Sequence, residues 1–529
     1  MTQIGSTAAQ EIVLDRTVSV RDACQIAEGR LQVRLSNEAL RRCGAAHDRL
    51  AQIIREERHV YGITTGFGPL ANRLVGREDG ILLQQNLVHH LASGVGPDFN
   101  WVQARSIVLA RLMSILQGAS GASPTAIDML VGLLNSAFAP AVPSKGTVGA
   151  SGDLTPLAHM VLCLQGRGDF MLQSGSRVAP AQALGQMGLN PLDLSRRDGL
   201  ALVNGTSAMT GVAVLNATAA LRAIAWSVVL TAGLAECLSG RTEAWHAAFG
   251  DLRPHPGQIA AAAALRACLA GSKRVIRTPL AERRLTGMAP QTEPNSGQDA
   301  YTLRCAPQVI GAVWDTTIWH NNVVETELQS ATDNPIFPER PGEDIMVLHG
   351  GNFMGQHVGL ASDALSNAIV VLAGLAERQM ARLTDETLNR GLPAFLLRGP
   401  AGLNSGLMGA QVTATALLAE MRTAGAASVQ SLSTNGANQD VVSMGTIAAR
   451  LLADKLTGLF QIQAILAIAV TQAVDILEKD APGPDFSSHL MALRQKVRGA
   501  SPELLQDRPL GREIEVLAEA LAQSDPPKP

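Results

Sequence analysis

Apolar residues recur along this chain at helical spacing, and polar residues fill the positions between them. Leu40, Cys43, Leu50, Ile53 and Ile54 fall on one helical face, as do Val108, Leu112, Ile115 and Leu116. The back half is patterned more strongly, with Ala-, Leu- and Glu-containing runs over 367–383, 411–422, 446–456 and 459–477. These predict a bundle of long, nearly antiparallel helices. The run 459–477 is the most apolar, but Gln461, Gln463, Thr471, Gln472 and Asp475 interrupt it, which predicts a buried bundle helix rather than a membrane span. Glycine-rich loops at 61–68, 93–96, 140–153, 204–207 and 349–355 hold nearly all the unusual residues, and function is expected there. The expected fold is mainly α with little β: a loop-rich N-terminal portion, 1–205, followed by a long-helix bundle portion, 206–529. No internal repeat is visible, and the tail after Ser524, with Pro526, Pro527 and Pro529, is expected to be disordered.

Composition narrows the class. Of 529 residues, 46% are hydrophobic and 17% charged, which is apolar for a soluble protein and predicts that other subunits cover much of the surface. A formal net charge of −3, with no block of Lys or Arg, argues against nucleic acid as a partner. The six cysteines, Cys24, Cys43, Cys163, Cys237, Cys268 and Cys305, lack CxxC spacing, so neither a disulfide framework nor a zinc knuckle is expected and a reducing cytoplasm fits. The start of the chain, Met1 to Asp15, has neither the cationic beginning nor the apolar run of a signal peptide. None of the eleven histidines forms an H-E-x-x-H motif, so no metal site is expected. The stretch His349-Gly350-Gly351 lacks the GxSxG elbow that a serine hydrolase would pair with it.

The most suggestive loop is Gly146-Thr147-Val148-Gly149-Ala150-Ser151-Gly152-Asp153-Leu154, which runs into Thr155-Pro156-Leu157. It has no apolar period and reads as a tight turn feeding a helix, with Thr155 as N-cap and Pro156 at the first helical position. The positive end of that helix would then face the turn. A strained Ala-Ser-Gly turn can cyclise: the Gly152 nitrogen attacks the Ala150 carbonyl, and loss of two waters converts Ser151 into a dehydroalanine within a methylidene-imidazolone. Glycine offers an unhindered nitrogen and permissive dihedrals, alanine is small, and serine supplies the hydroxyl that leaves. The product is an electrophile that ordinary side chains lack. The triplet occurs again at Ala119-Ser120-Gly121, where Gln117-Gly118 and Ser123-Pro124 read as one helix end and the next helix start.

Five further motifs accompany the loop: Tyr61-Gly62-Ile63-Thr64-Thr65-Gly66-Phe67-Gly68, Leu202-Val203-Asn204-Gly205-Thr206, Gln298-Asp299-Ala300-Tyr301-Thr302-Leu303-Arg304, Thr332-Asp333-Asn334-Pro335 and Asn438-Gln439-Asp440. Together with Gly146 to Leu154 they resemble the histidine, phenylalanine and tyrosine ammonia-lyase family across essentially the whole chain. The only two tyrosines of the sequence, Tyr61 and Tyr301, both fall inside these motifs.

The resemblance implies a role for each candidate. Ala150, Ser151 and Gly152 would form the methylidene-imidazolone, with no metal and no nucleotide required. Tyr61 would remove a β-proton, which a phenol does only with cationic or hydrogen-bonding help. Arg304 would pair in bidentate fashion with the substrate carboxylate, and Asn204, Tyr301 and Gln439 would hydrogen-bond the ring or the substrate as charge develops. Phe353 would pack against the prosthetic ring, and Gly68, Leu154 and Met408 would border the substrate. The family assembles its active sites from three chains of a homotetramer, so a homotetramer is implied here too.

Substrate choice is read at Val88-His89-His90-Leu91-Ala92. In the family the positions matching His90 and Leu91 tend to be Phe-Leu in phenylalanine lyases, Ser-His in histidine lyases and His-Leu in tyrosine lyases. A histidine there can hydrogen-bond a para-hydroxyl, and leaving it unpaired would be costly. Asn435 points the same way, because phenylalanine lyases typically carry glutamate at that position. His89 is expected to be outward-facing or structural and is not assigned to the site. The implied reaction is non-oxidative deamination of L-tyrosine to p-coumarate and ammonia. A tyrosine 2,3-aminomutase, a histidine or phenylalanine lyase and a catalytically silent scaffold are the alternatives.

Overall fold

Helices carry most of the chain and only short strands accompany them, as the apolar spacing predicts. The structure, a computed structural model, describes residues 10–195, 197–282, 297–340, 342, 345–480 and 485–527. It divides into two compact units, each drawn from three stretches: 1–218, 320–363 and 426–451 in the first, and 219–319, 364–425 and 452–529 in the second. The first unit therefore holds the front portion, 1–205, together with segments from the back half. Residues 1–9 of the N-terminal segment lie outside the described residues.

In the first unit, helices Val20–Ala27, Asn37–Arg55 and Pro124–Leu134 start at Ser19, Ser36 and Ser123, whose hydroxyl oxygens accept from Asp22 N, Ala39 N and Ala126 N. Each cap satisfies a donor that the helix start leaves free. Ser123 with Pro124 behind it is the helix start expected for the second Ala-Ser-Gly copy. The buried face of Asn37–Arg55 is Ala39, Cys43, Ala46, Leu50 and Ile53; Leu40, expected on that face, is exposed because the stripe passes through its neighbour Ala39. Helix Trp101–Leu116 is buried on every side from Ala104 onward, including Arg105 and Arg111. Arg105 donates to the carbonyls of Ala27 and Leu133, at the C-terminal ends of two helices, and stacks 4.5 Å from the Trp101 ring. Those carbonyls carry the negative helix ends, which favours a cation there. Short strands complete the unit: Gln10–Leu14 runs parallel to Leu31–Leu35, and Val95–Asp98 runs antiparallel to Pro143–Lys145. The second pairing ends at Lys145, just before Gly146, and so delivers the chain into the 146–153 loop.

The second unit has a continuous apolar core that includes Trp226, Leu230, Leu265, Ile310, Ile369, Leu372, Ile462, Leu466, Val470 and Leu517. The runs 446–456 and 459–477 belong to one helix, Gly445–Asp480. Gly458 does not break it, since a Cβ there would stand 3.3 Å from Met421 Sδ; the glycine serves close packing instead. Ser207–Cys237, Gln356–Thr384 and Gly445–Lys479 are long and apolar enough to cross a membrane by length and composition, yet 94% of the most apolar window of the last is buried by protein. The chain is held at Ser524, whose carbonyl accepts from Trp226 Nε1 at 3.0 Å, and beyond it the exposed Asp525 pairs with Arg222 at 3.2 Å. Pro529 lies outside the described residues.

Candidate active site

The 146–153 loop turns through left-handed backbone at Ser151 (φ +56°) and Gly152 (φ +78°). Serine holds that conformation only under constraint, and the constraint is the backbone of Gly205. Gly152 and Gly205 form a parallel bridge, Asp153 N donates to Gly205 O at 2.7 Å, and a Cβ on Gly152 would stand 2.1 Å from that oxygen. Glycine is required by contact as well as by dihedral.

Two side-chain amides converge on Ser151. Asn204, the C-cap of helix Asp198–Val203, donates from Nδ2 to Ser151 O at 2.9 Å, and its Oδ1 accepts from Asn334 N at 2.7 Å. Partners of opposite type fix which way the amide points. Gln439 Nε2 donates to Ser151 Oγ at 3.1 Å, and its Oε1 accepts from Asn435 Nδ2 at 2.6 Å. Asn435 opens a left-handed stretch (φ +50°), a conformation asparagine tolerates better than most residues. The structure therefore brings together Ser151, Asn204, Gln439 and Asn435 of the expected set. Ala150, half-buried, packs against an apolar cluster of Ala427, Val442, Met444 and Ala448. Left-handed dihedrals at Ser151 and Gly152, with a donor on the Ser151 carbonyl oxygen that the ring would keep, fit the cyclised group expected of this triplet.

The helix after the turn starts two residues earlier than expected, at Leu154. Thr155 and Pro156 are inside its first turn, and Asp153 stands at the cap position without capping. Its carboxylate is drawn elsewhere: Thr446 Oγ1 donates to Oδ1, and Met209 N donates to Oδ2 at 2.7 Å. Proline is tolerated there because first-turn N–H groups have no helical acceptor. Burial pushes the Asp153 carboxyl up to about 6, against the pull of these hydrogen bonds. Beneath Asn204, Arg111 donates to Asn204 O and to Asp333 Oδ1, both at 2.5 Å, and neither ionic side chain is more than 1% exposed. Burial also raises the Asp333 carboxyl, while Arg111 and Arg197 hold it back. Sequence reasoning assigned no role to Asp153, Arg111 or Asp333. The signal was present, since Arg111 interrupts the apolar run Val108-Leu109-Ala110-Arg111-Leu112-Met113.

The Tyr61 phenol oxygen accepts from Gly68 N at 2.9 Å, its ring meets Phe67 edge-on at 6.1 Å, and Tyr61 N donates to His349 Nε2 at 3.3 Å. His90 is exposed on the last turn of helix Gly80–Leu91, with Nδ1 2.9 Å from Asn86 O. A carbonyl only accepts, so that partner assigns a proton to Nδ1, and in the neutral ring Nε2 is then the acceptor. Leu91 is half-buried, and the neighbouring His89 faces outward against Arg167 at 2.7 Å. Leu154 and Phe353 are half-buried as well; the loop before Phe353 is held by Gly350 N donating to Asn334 Oδ1 at 2.8 Å.

Tyr301, Arg304 and Met408 belong to the second unit. The Arg304 guanidinium stacks 4.8 Å from the Tyr301 ring centroid, and both line a cavity of about 450 Å³ with Gln298, Asp299 and Gln308. Arg304 Nε and Gln308 Oε1 are buried there with no hydrogen-bond partner among the described residues, so among them the cavity offers a donor and an acceptor. Asp299, to which no role was assigned, anchors the segment by accepting from Arg241 N at 2.5 Å and Arg390 at 2.7 Å. Met408 is exposed at the start of helix Met408–Thr423. Among the described residues, no group of three or more His, Cys, Asp or Glu could hold a metal ion.

A family model described as aromatic amino acid lyase matches residues 18–499. The chain belongs to the aromatic amino acid lyase family. It is 61% identical to a tyrosine ammonia-lyase of Cereibacter sphaeroides, over 97% of this chain and 98% of that protein. It is 39% identical to an MIO-dependent tyrosine 2,3-aminomutase of Streptomyces globisporus, over 99% and 97% of the two chains. The crystal structure of a tyrosine aminomutase from that organism superposes with a TM-score of 0.91 at 38% identity, covering 97% of each chain. Membership in the aromatic amino acid lyase family bears out the resemblance carried by the sequence motifs, and this neighbour is consistent with the mainly α fold.

Proposed function

We propose that this chain is a carbon–nitrogen lyase that deaminates L-tyrosine to p-coumarate and ammonia, with a methylidene-imidazolone formed from Ala150, Ser151 and Gly152. The observation that carries this reading is the pair of side-chain amides, from Asn204 and Gln439, donating to the carbonyl and hydroxyl oxygens of a left-handed Ser151. The ring supplies an electrophilic methylidene carbon that turns the substrate amine into a leaving group. Asn204 stabilises negative charge on the Ser151 carbonyl oxygen, with its own orientation already fixed by Asn334. Gln439 holds the Ser151 hydroxyl in the direction from which it leaves as water.

Tyr61 takes the β-proton; the Gly68 N–H on its oxygen stabilises the phenolate that this requires. Arg304, stacked on Tyr301, binds the substrate carboxylate. By the family resemblance, both are proposed to reach the Ser151 turn from a neighbouring copy in a homotetramer. Gly68, Leu91, Leu154, Phe353, Met408 and Asn435 border the substrate. His90, with its proton on Nδ1, presents Nε2 to accept the para-hydroxyl proton, which favours tyrosine over phenylalanine. Tyrosine is also the substrate named for the relative at 61% identity. A cytoplasmic location accords with the absence of any expected disulfide framework.

Purified protein offered L-Tyr, L-Phe and L-His separately, with products followed by mass, tests the reading. Expected are p-coumarate from tyrosine, an intact chain lighter than its sequence by two waters, and no product from a Ser151→Ala variant. The similarity to tyrosine aminomutases supports a second reading in which the amine returns at the β-carbon. β-Tyrosine as the main product would establish that reading instead.

A further inference from the structure

Gln84 is fully buried in helix Gly80–Leu91, and both ends of its amide are used. Nε2 donates to Gly62 O at 2.8 Å, and Oε1 accepts from Leu200 N at 2.8 Å. Gly62 follows Tyr61. Leu200 lies in the first turn of helix Asp198–Val203, where its N–H has no acceptor within the helix, and Leu200 O accepts from Asn204 N at 3.0 Å. A path of hydrogen bonds therefore runs from the carbonyl of Gly62, the residue after Tyr61, through Gln84 and Leu200 to Asn204, and from Asn204 Nδ2 to Ser151 O.

Packing makes this path stiff. A Cβ on Gly62 would stand 2.6 Å from Leu200 Cδ2, and one on Gly199 would stand 2.8 Å from Gln84 O. The three segments are thus closely packed, and the amide cannot turn over without opposing like groups to both partners. The same helix carries His90 near its end.

We propose that Gln84 is a positioning residue that sets the distance between the Tyr61 phenol and the Ser151 turn. This rests on the lyase reading above. Removing the amide leaves a buried carbonyl at Gly62 and a buried N–H at Leu200, and the Tyr61 loop and the Asn204 helix then settle independently. Proton removal by Tyr61 suffers, because a misplacement of about 1 Å costs about 100-fold in rate. Carboxylate binding by Arg304 does not depend on this path.

Two variants test it. Gln84→Leu is expected to lower kcat by about 100-fold with KM little changed, and to enlarge the isotope effect from β-deuterated tyrosine, while the chain stays two waters light. Gln84→Glu reproduces both hydrogen bonds only when its carboxyl is protonated, so its kcat relative to wild type should rise as pH falls. Burial keeps that carboxyl protonated further toward neutrality than an exposed one. The inference is overturned if Gln84→Leu matches wild type in kcat, KM and isotope effect. It is equally overturned if activity falls only in proportion to folded protein, judged by thermal melting, and Gln84→Glu shows no recovery at lower pH. Wild-type protein that deaminates tyrosine and is two waters light establishes the lyase reading first, so failure of the variants alone removes only the role of Gln84. Inactive wild-type protein removes both.

Discussion

The backbones of Gly152 and Gly205 lie so close that a Cβ on Gly152 would stand 2.1 Å from the Gly205 carbonyl oxygen, while Asp153 N donates to that same oxygen at 2.7 Å. The turn carrying Ser151 is held against the residue next to Asn204 by contact that only glycine permits. A Gly152→Ala variant is therefore expected to lose the cyclised group. Intact mass should equal that of the unmodified sequence, and a variant still two waters light would contradict this account.

Asn204→Ala removes the donor on Ser151 O and strands Asn334 N–H, both in a partly buried setting. The loss of one donor aimed at developing negative charge is expected to lower kcat by about 100- to 1,000-fold. Steady-state rates on tyrosine, measured alongside intact mass, separate a catalytic loss from failure to mature.

The Asp153 carboxyl stands at about 6 in the folded protein against an ordinary 3.8, because it is buried. Between those values the folded state keeps the proton and the unfolded state has lost it, so folding stability falls as pH rises from about 4 to about 6. The contribution lost is about 3 kcal/mol at 1.36 kcal/mol per pH unit. Urea unfolding of wild type and Asp153→Asn across this range reads it directly. The stability of wild type relative to the variant should decline with rising pH, and an increase would refute the assignment.

Arg111 and Asp333 form an ion pair with side chains 0% and 1% exposed. Arg111→Met leaves the Asp333 carboxyl buried without its main partner, which is expected to cost about 3–5 kcal/mol of folding stability. Adding Asp333→Asn should restore part of that loss in a denaturant melt. A double variant no more stable than the single one would show that the pair is not coupled in this way.

Chemistry that depends on neighbours in the chain was legible from residue order. Ala150-Ser151-Gly152 could be read as a candidate electrophile because a five-membered ring can close over three consecutive residues, and the accompanying motifs set it apart from the same triplet at Ala119-Ser120-Gly121. The motifs around Tyr61, Asn204, Tyr301, Arg304 and Gln439 carry the family resemblance, and helical spacing alone predicted a mainly α fold. What residue order could not show was which distant groups meet. Ser151 is oriented by Gln439, Asp153 is engaged by Thr446, Arg111 is neutralised by Asp333, and Gln84 joins Gly62 to Leu200. Each pairing spans separate helices or loops, and no local periodicity encodes it. The same limit misled expectation at Thr155, because Asp153 turned away from its helix toward Thr446 and Met209, and at 446–477, where Gly458 serves packing within one long helix. Propensity and ring-closure chemistry act over a few residues, whereas burial and hydrogen-bond partnership are properties of the folded surroundings, and only the tertiary structure supplies them.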